Sequence, residues 1–255
     1  MKANEVLDWL IAYSGGNLEN TVDTIKAGSD DKDTKKVAFC FIPTPAVIRA
    51  AHAWGADVLV THEPTYHNHL DEFIENPVTL AKKNLVDRTG MTIYRWHDHA
   101  HLAKPDVIAD GIIRTAGLEG DYSKPYIILD RDTDAVELSS LIEEKMGVRH
   151  VRIVGNRLSK VKKVFISPGA PSDNSFYRFL TDDSDLMIVG EGIEWKHAYP
   201  IFDAAELGFN KSLLLLGHCG SERDGMMLIC DKWNETHPDA PGKYFECGEL
   251  YTYTD

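Results

Sequence analysis

An α/β fold with a mainly parallel or mixed sheet is the class this sequence predicts. Apolar runs of strand length alternate with amphipathic segments of helix length throughout the 255 residues, the pattern of successive βαβ units. The apolar runs are nearly continuous, as in strands covered on both faces. A faint internal repeat adds a third observation and suggests two similar lobes, residues 1–120 and 121–255.

The strands are expected at VAFCFI (37–42), DVLVT (57–61), MTIYR (91–95), YIILD (126–130), KVFIS (163–167), DLMIV (185–189) and SLLLLG (212–217). Helices are expected over 45–54, 77–88, 106–116, 133–146, 173–181, 197–206 and 221–234. Asn76 before Pro77, and Asp132 or Thr133 before the 133–146 segment, are good caps. AGSDDKDTKK (27–36) reads as a hydrophilic loop. The alternation in CGELYTYTD (247–255) suggests a closing edge strand.

The repeat has definite landmarks. KKV at 35–37 leads through a helix to DVLVTHE at 57–63, and KKV at 162–164 leads through a helix to DLMIVGE at 185–191. Each half then runs helix, strand, histidine, ending at His97 and His218. Each histidine has a metal-type residue four positions on, His101 or Glu222. A duplication would leave this order, with the two halves about a pseudo-twofold axis and their polar strand ends meeting; short apolar strands also match by chance.

Composition bounds the function. With 43% apolar residues and no apolar stretch of transmembrane length, no membrane association is expected. The start, MKANEVLDWLIAYSGG, is too acidic and too broken for a signal peptide, so a cytoplasmic protein is expected. The four cysteines show no CxxC spacing, which argues against a disulfide frame or thiolate zinc site; Cys40, in an apolar run, reads as core. A net charge of −13 disfavours nucleic acid as a partner.

Ligands in α/β sheets bind beyond the carboxyl ends of strands, and three strands here end in metal-type residues. DVLVT is followed by His62-Glu63-Pro64, MTIYRW by His97-Asp98-His99-Ala100-His101, and SLLLLG by His218-Cys219-Gly220-Ser221-Glu222. DLMIV is followed by Gly190-Glu191, with His197 six residues further on. Imidazole and carboxylate are the usual ligands for zinc, iron and manganese in hydrolytic sites. Pro64 forces the chain out of the ladder, which lets His62 and Glu63 face one way, and His218 and Glu222 share a helix face if the helix starts at once. Any one such pair is ordinarily a solvated loop; convergence at three strand ends favours a metal site. His99 points away from His97 and His101 in either regular conformation and reads as an outer or solvent residue. His67 and His69 read as loop residues, and His52, His150 and His237 as surface or cap residues.

Other motifs are weaker. GEGIEW (190–195) lacks the third glycine of a dinucleotide fingerprint and reads as a turn. SPGAPSDNS (167–175) opens a helix; its backbone N–H groups suit an anion, though a plain turn is the simpler reading. Trp96 and Trp195 could line a pocket; core packing is the simpler expectation for each.

These motifs resemble the NIF3-like (DUF34) family, also known as GTP cyclohydrolase type 2 homologues. VAFCFIPTPAVIRAAHAWGADVLVTHEP resembles the family's strand–helix–strand ending in His-His-Pro, and IYRWHDHAH its His-x-x-x-Asp segment. DLMIVGE…KHAYPIFDAAELGFNKSLLLLGHCGSE resembles its Gly-Glu, His and Gly-His-x-x-x-Glu blocks, the last being the most specific. The resemblance implies two α/β lobes with a dinuclear metal centre between them and homo-oligomers up to a hexameric ring of dimers. Carried over by position, the ligands are His62, Glu63, His101, His218 and Glu222, with His97 beside them. Glu63 stands where the family has its second His, and His101 where it has Asp, so one imidazole and one carboxylate trade places.

The expectation that follows is a metal-dependent hydrolase holding one or two divalent ions (zinc, iron or manganese) per chain. Its substrate would be a small nucleotide-like, phosphorylated or heterocyclic molecule. Asp98, Glu191 and His197 are the candidates for proton transfer or for orienting ligands. The alternative is a non-enzymatic metal-binding or regulatory protein-interaction protein.

Overall fold

The computed structural model describes residues 1–254. The chain forms two compact units, one of Met1–Val107 with Met226–Asp255, the other of Ile108–Gly225. The expected division near residue 120 differs from this chiefly at the C-terminal end, where a last strand pairs within the first unit's sheet.

The first unit begins with α1 (Ala3–Tyr13) and β1 (Ile25–Ala27), and continues through β2 (Val37–Cys40), α2 (Pro45–Trp54), β3 (Val58–Thr61), α3 (Pro77–Thr89), β4 (Thr92–Arg95) and the short α4 (Asp98–Leu102). With β11 (Gly242–Tyr244) these strands form a sheet in the order β1-β4-β3-β2-β11. The inner strands run parallel, and only β1 is antiparallel. Every residue of β2, β3 and β4 is buried, as continuous apolar runs require. Ala38, Cys40, Leu59 and Ile93 pack with Val47, Ile48 and Val86 from α2 and α3. Alternation sends Phe39 to the other face, against Trp233. Burying each of the Leu, Ile, Val and Phe side chains stabilises by about 1.5–3 kcal/mol.

Helix ends follow their cap residues. Thr44 Oγ1 accepts from the Val47 N–H ahead of Pro45, and Gly55, at φ +86°, closes α2 in the left-handed region. Asn76 caps α3 through the N–H groups of Val78 and Thr79.

The second unit runs α5 (Val107–Ala116), β5 (Gly120–Ser123), β6 (Tyr126–Thr133), α6 (Ala135–Met146), β7 (Arg152–Gly155), β8 (Val161–Ser167), α7 (Asp173–Thr181), β9 (Leu186–Val189), α8 (Tyr199–Glu206) and β10 (Ser212–Leu215); α9 (His218–Thr236) starts in it and continues in the first unit. The sheet order is β5-β6-β8-β9-β10-β7, with β8, β9 and β10 parallel. Val164, Ile166, Leu186, Ile188 and Leu214 face Ile112, Leu138 and Ile142. Their neighbours Phe165, Met187, Val189, Leu213 and Leu215 face Phe176, Phe179 and Ile201.

Four expectations are corrected. The cap of α6 is Asp134, whose Oδ1 accepts from Val136 and Glu137, because Asp132 and Thr133 still belong to β6. The 197–206 segment is a π-helical turn, Glu194–Ala198, running into α8. Pro200 lacks the N–H that a regular α-helix would place there. Residues 247–254 form no strand; the edge strand is β11, held where Asn234 Oδ1 accepts from Gly242 N–H at 2.7 Å. Asp255 lies outside the described residues. Trp195 is 72% exposed, whereas Trp96 is fully buried and donates its indole N–H to Ser14 Oγ.

The internal repeat extends to equivalent hydrogen bonds. Asp57 Oδ2 accepts from the Lys35 and Lys36 N–H groups, and Asp185 Oδ2 from those of Lys162 and Lys163. Their carbonyls accept from Thr92 and Ser212, the first residues of β4 and β10. At the far end, Trp96 N–H donates to Thr61 and Leu216 N–H to Val189. By this register His97 matches Gly217, not His218, so the two strand-end histidines are offset by one residue.

Candidate metal centre

The first unit brings three of the expected histidines together. One ring nitrogen from each of His62, His97 and His101 lies within 4.8 Å of the other two. His62 follows β3 directly and is fully buried; His97 follows β4 after Trp96, and His101 sits one turn later on α4. The His62 and His97 rings stack with centroids 4.6 Å apart, and His101 meets both edge-on.

Each ring has an acceptor on its Nδ1. His62 Nδ1 donates to the Trp96 carbonyl at 3.1 Å, His97 Nδ1 to Asp98 Oδ1 at 2.8 Å, and His101 Nδ1 to Asp106 Oδ2 at 3.2 Å. A neutral imidazole that donates from Nδ1 carries its lone pair on Nε2, the form that ligates a metal. Burial lowers the pKa of His97, with Asp98 opposing, so at neutral pH the pair is a hydrogen bond from neutral imidazole rather than an ion pair. The hydrogen bond from His97 holds the Asp98 carboxyl well below the usual carboxylate range, and Thr21 Oγ1 and Val22 N–H add to it.

Glu63 faces the same set. Its Oε1 lies 3.8 Å from His97 Nε2, and its Oε2 3.8 Å from Arg95 Nη2. Arg95 is 1% exposed and also donates Nε to the His62 carbonyl and Nη1 to the His69 carbonyl. Asp23 organises the segment from behind. It accepts from the backbone N–H groups of His97, Asp98 and His99 and pairs with His99 Nδ1 at 2.7 Å. His99 is therefore a buried anchor for α4, outside the triad as expected but not in solvent. His69 is an exposed loop residue whose ring centroid is 6.0 Å from that of His97. His52 and His150 are exposed, while His237 stacks on Trp233.

The second unit carries its own donor pair. His218 and Glu222 share a face of α9, with Nε2 and Oε2 3.3 Å apart. His218 Nδ1 donates to Glu191 Oε1 at 3.0 Å, which again leaves the Nε2 lone pair opposite a carboxylate oxygen. An imidazole nitrogen and a carboxylate oxygen at that distance form a donor pair that suits a shared cation. Gly169 closes the pair at φ +65°; a Cβ there would lie 2.3 Å from Glu222 Oε1 and 2.9 Å from His218 Nε2. Ser221 Oγ fixes the approach by accepting from Gly169 N–H, and the Gly169 carbonyl takes the N–H groups of Gly190 and Glu191. The SPGAPSDNS stretch thus serves as a turn that brings backbone against the pair, while Ser172 caps α7. His197 is buried; its Nδ1 accepts from Ile193 N–H and its ring packs edge-on against Phe176. Burial lowers its pKa, with Lys196 adding and Asp173 opposing.

Both donor sets suit a divalent metal, since they present neutral Nε2 atoms beside carboxylate oxygens with outer partners on every imidazole. Sequence reading missed Asp23, Arg95, Asp106, Gly169 and Ser221. Arg95 alone carries a local signal, a charge inside an otherwise apolar strand.

Known proteins share this architecture. At 23% identity over 92% of each chain, the sequence is similar to the "GTP cyclohydrolase 1 type 2 homolog" of Clostridium perfringens (strain 13 / Type A). The fold matches Staphylococcus aureus hypothetical protein SA1388 with a TM-score of 0.81, at 15% identity over 99% of both chains. It matches the Bacillus cereus protein related to NIF3 with a TM-score of 0.80, at 12% identity over 100% of this chain and 99% of that one. The Duf34/NIF3 (NGG1p interacting factor 3) model matches residues 1–246, and the chain belongs to that family.

Proposed function

We propose that this protein is a metal-dependent hydrolase acting on a small nucleotide-like, phosphorylated or heterocyclic molecule. One observation carries the reading: all four candidate histidine ligands engage an acceptor through Nδ1, so each presents Nε2. His62, Glu63, His97 and His101, with His218 and Glu222, would hold one or two zinc, iron or manganese ions. A bound ion supplies a water acidic enough to ionise near neutral pH and polarises the group attacked.

The chain's own residues divide the remaining work. Asp98 stays ionised and holds the His97 tautomer, which supports orientation rather than proton donation. Glu191 orients His218 and, with its side chain half exposed, is the candidate that can exchange a proton with a substrate. His197, buried against Phe176, supports the neighbouring turn.

Metal analysis of wild type and of a His218→Ala/Glu222→Ala double variant tests the site; equal metal content in both rejects it. Turnover of phosphoesters or cyclic amides that depends on added metal and disappears in His62→Ala tests the activity.

A second reading, a metal-binding interaction protein without turnover, draws support from Trp195, Tyr199 and Phe202, spaced to share one helical face and 72%, 61% and 49% exposed. The same aromatics support a homo-oligomer, between dimer and hexamer, with a second copy as the occupant. Size-exclusion with light scattering of a Trp195→Ala/Phe202→Ala variant would show dissociation. The four cysteines form no disulfide, which supports a cytoplasmic setting. Among the described residues no helix is long and apolar enough to cross a membrane.

A further inference from the structure

We infer that Arg95 and Asp106 are positioning residues, each matched to the donor type at one position, Arg95 to the carboxylate of Glu63 and Asp106 to the imidazole of His101. The inference rests on the metal-binding reading and adds what makes this particular donor set workable.

The two contacts have complementary logic. Arg95 Nη2 lies 3.8 Å from Glu63 Oε2 and His97 Nε2 lies 3.8 Å from Oε1, so the guanidinium flanks one carboxylate oxygen and the imidazole the other. Asp106 takes His101 Nδ1, so that ring presents Nε2. Both partners are nearly removed from solvent, Arg95 at 1% and Asp106 at 2% exposed. A buried guanidinium beside a carboxylate offsets its charge; beside an imidazole it would oppose metal loading. A buried carboxylate behind an imidazole fixes its tautomer and ring orientation; behind another carboxylate it would repel. Arg95 also ties the His62 and His69 carbonyls, which fixes both walls from which Glu63 emerges.

The test is zinc affinity of the full chain, measured by competition with a chromophoric chelator, alongside the melting temperature of metal-free protein. Asp106→Asn should weaken zinc binding about 10- to 100-fold. It should leave metal-free melting nearly unchanged, because Asn keeps the size of Asp and a side-chain oxygen that still accepts from His101 Nδ1. In a Glu63→His/His101→Asp background the donor types are exchanged, and Asp106→Asn should then leave affinity unchanged or raise it. Wild-type affinity in Asp106→Asn, or an equal loss in both backgrounds, overturns the inference while the metal reading stands. Wild type that takes up no zinc overturns both. If the exchanged chain does not fold, a double-mutant cycle decides. Arg95→Lys should weaken zinc binding, because lysine lacks the fork, yet add nothing once Glu63→Gln is present. Losses that simply add overturn the role of Arg95.

Discussion

The two units solve one backbone problem and then diverge at its end. In each, three parallel strands are pinned by an aspartate that accepts from two consecutive lysine N–H groups, Asp57 in one and Asp185 in the other. Beyond the strands, the first unit crowds three imidazoles, with carboxylates behind two of them. The second places one imidazole and one carboxylate against a bare glycine. The divergence is affordable because strand pairing depends on backbone and burial, whereas residues past the last ladder bond contribute little to the sheet. The buried lysines differ in the same way. Lys211 Nζ donates to the carbonyls of Phe179, Asp182 and Ser184, whereas Lys82 Nζ is buried without a hydrogen-bond partner.

The largest effect should come from Asp23→Ala, which strips the hydrogen bonds from three backbone N–H groups and His99. A loss of about 3 kcal/mol or more is expected in denaturant unfolding, with zinc affinity falling as α4 loosens. No comparable loss would mean the first unit's site does not depend on its anchor.

Gly169→Ala probes the second unit. It combines a left-handed backbone with a Cβ driven into Glu222. A cost of about 2–3 kcal/mol is expected. Gly90→Ala, with φ +61° and open space around it, should cost only about 1 kcal/mol. Equal losses in thermal melts would show that Glu222 yields freely.

The lysines should respond with opposite signs. Burial lowers the Lys82 pKa to about 8. The folded state therefore binds fewer protons than the unfolded chain between pH 8 and the ordinary lysine value, and stability from this group rises across that window. Lys82→Met should stabilise by about 1–3 kcal/mol at pH 7, and the gain should fade as pH climbs past 8. Lys211→Met should destabilise instead, since three carbonyls lose their donor. Urea midpoints at pH 7 and pH 9.5 check both.

The smallest expected effect tests the repeat itself. Asp57→Ala and Asp185→Ala should each cost about 1–2 kcal/mol, and by similar amounts. A loss in one variant only would mean that one of the two turns is held by other contacts.

The inner strands were legible because each is an unbroken apolar run, and the strand-end histidines because a strand's carboxyl end is a known place to look. The short edge strands β1, β5, β7 and β11 were not, since half-exposed residues leave little periodic signal. Helix α1 is absent from the expected helices, because its start is read only against a signal peptide, although Val6 and Leu10 bury one of its faces. Asp23 and Asp106 were invisible for a different reason. Asp23 acts 74 to 76 residues away from where it sits, and Asp106 gains its meaning only once α4 has turned His101 toward it.

The return of β11 to the first sheet has a consequence for how the chain is made. The second unit is one continuous stretch and can close as soon as its own residues have been synthesised. The first must hold an incomplete sheet, with the β2 edge bare, until residues 242–244 arrive. Nascent chains with residues up to about 230 clear of the ribosome should therefore yield a protease-resistant fragment from the later-made unit while the earlier-made one is still cleaved, the reverse of the usual order of maturation on the ribosome.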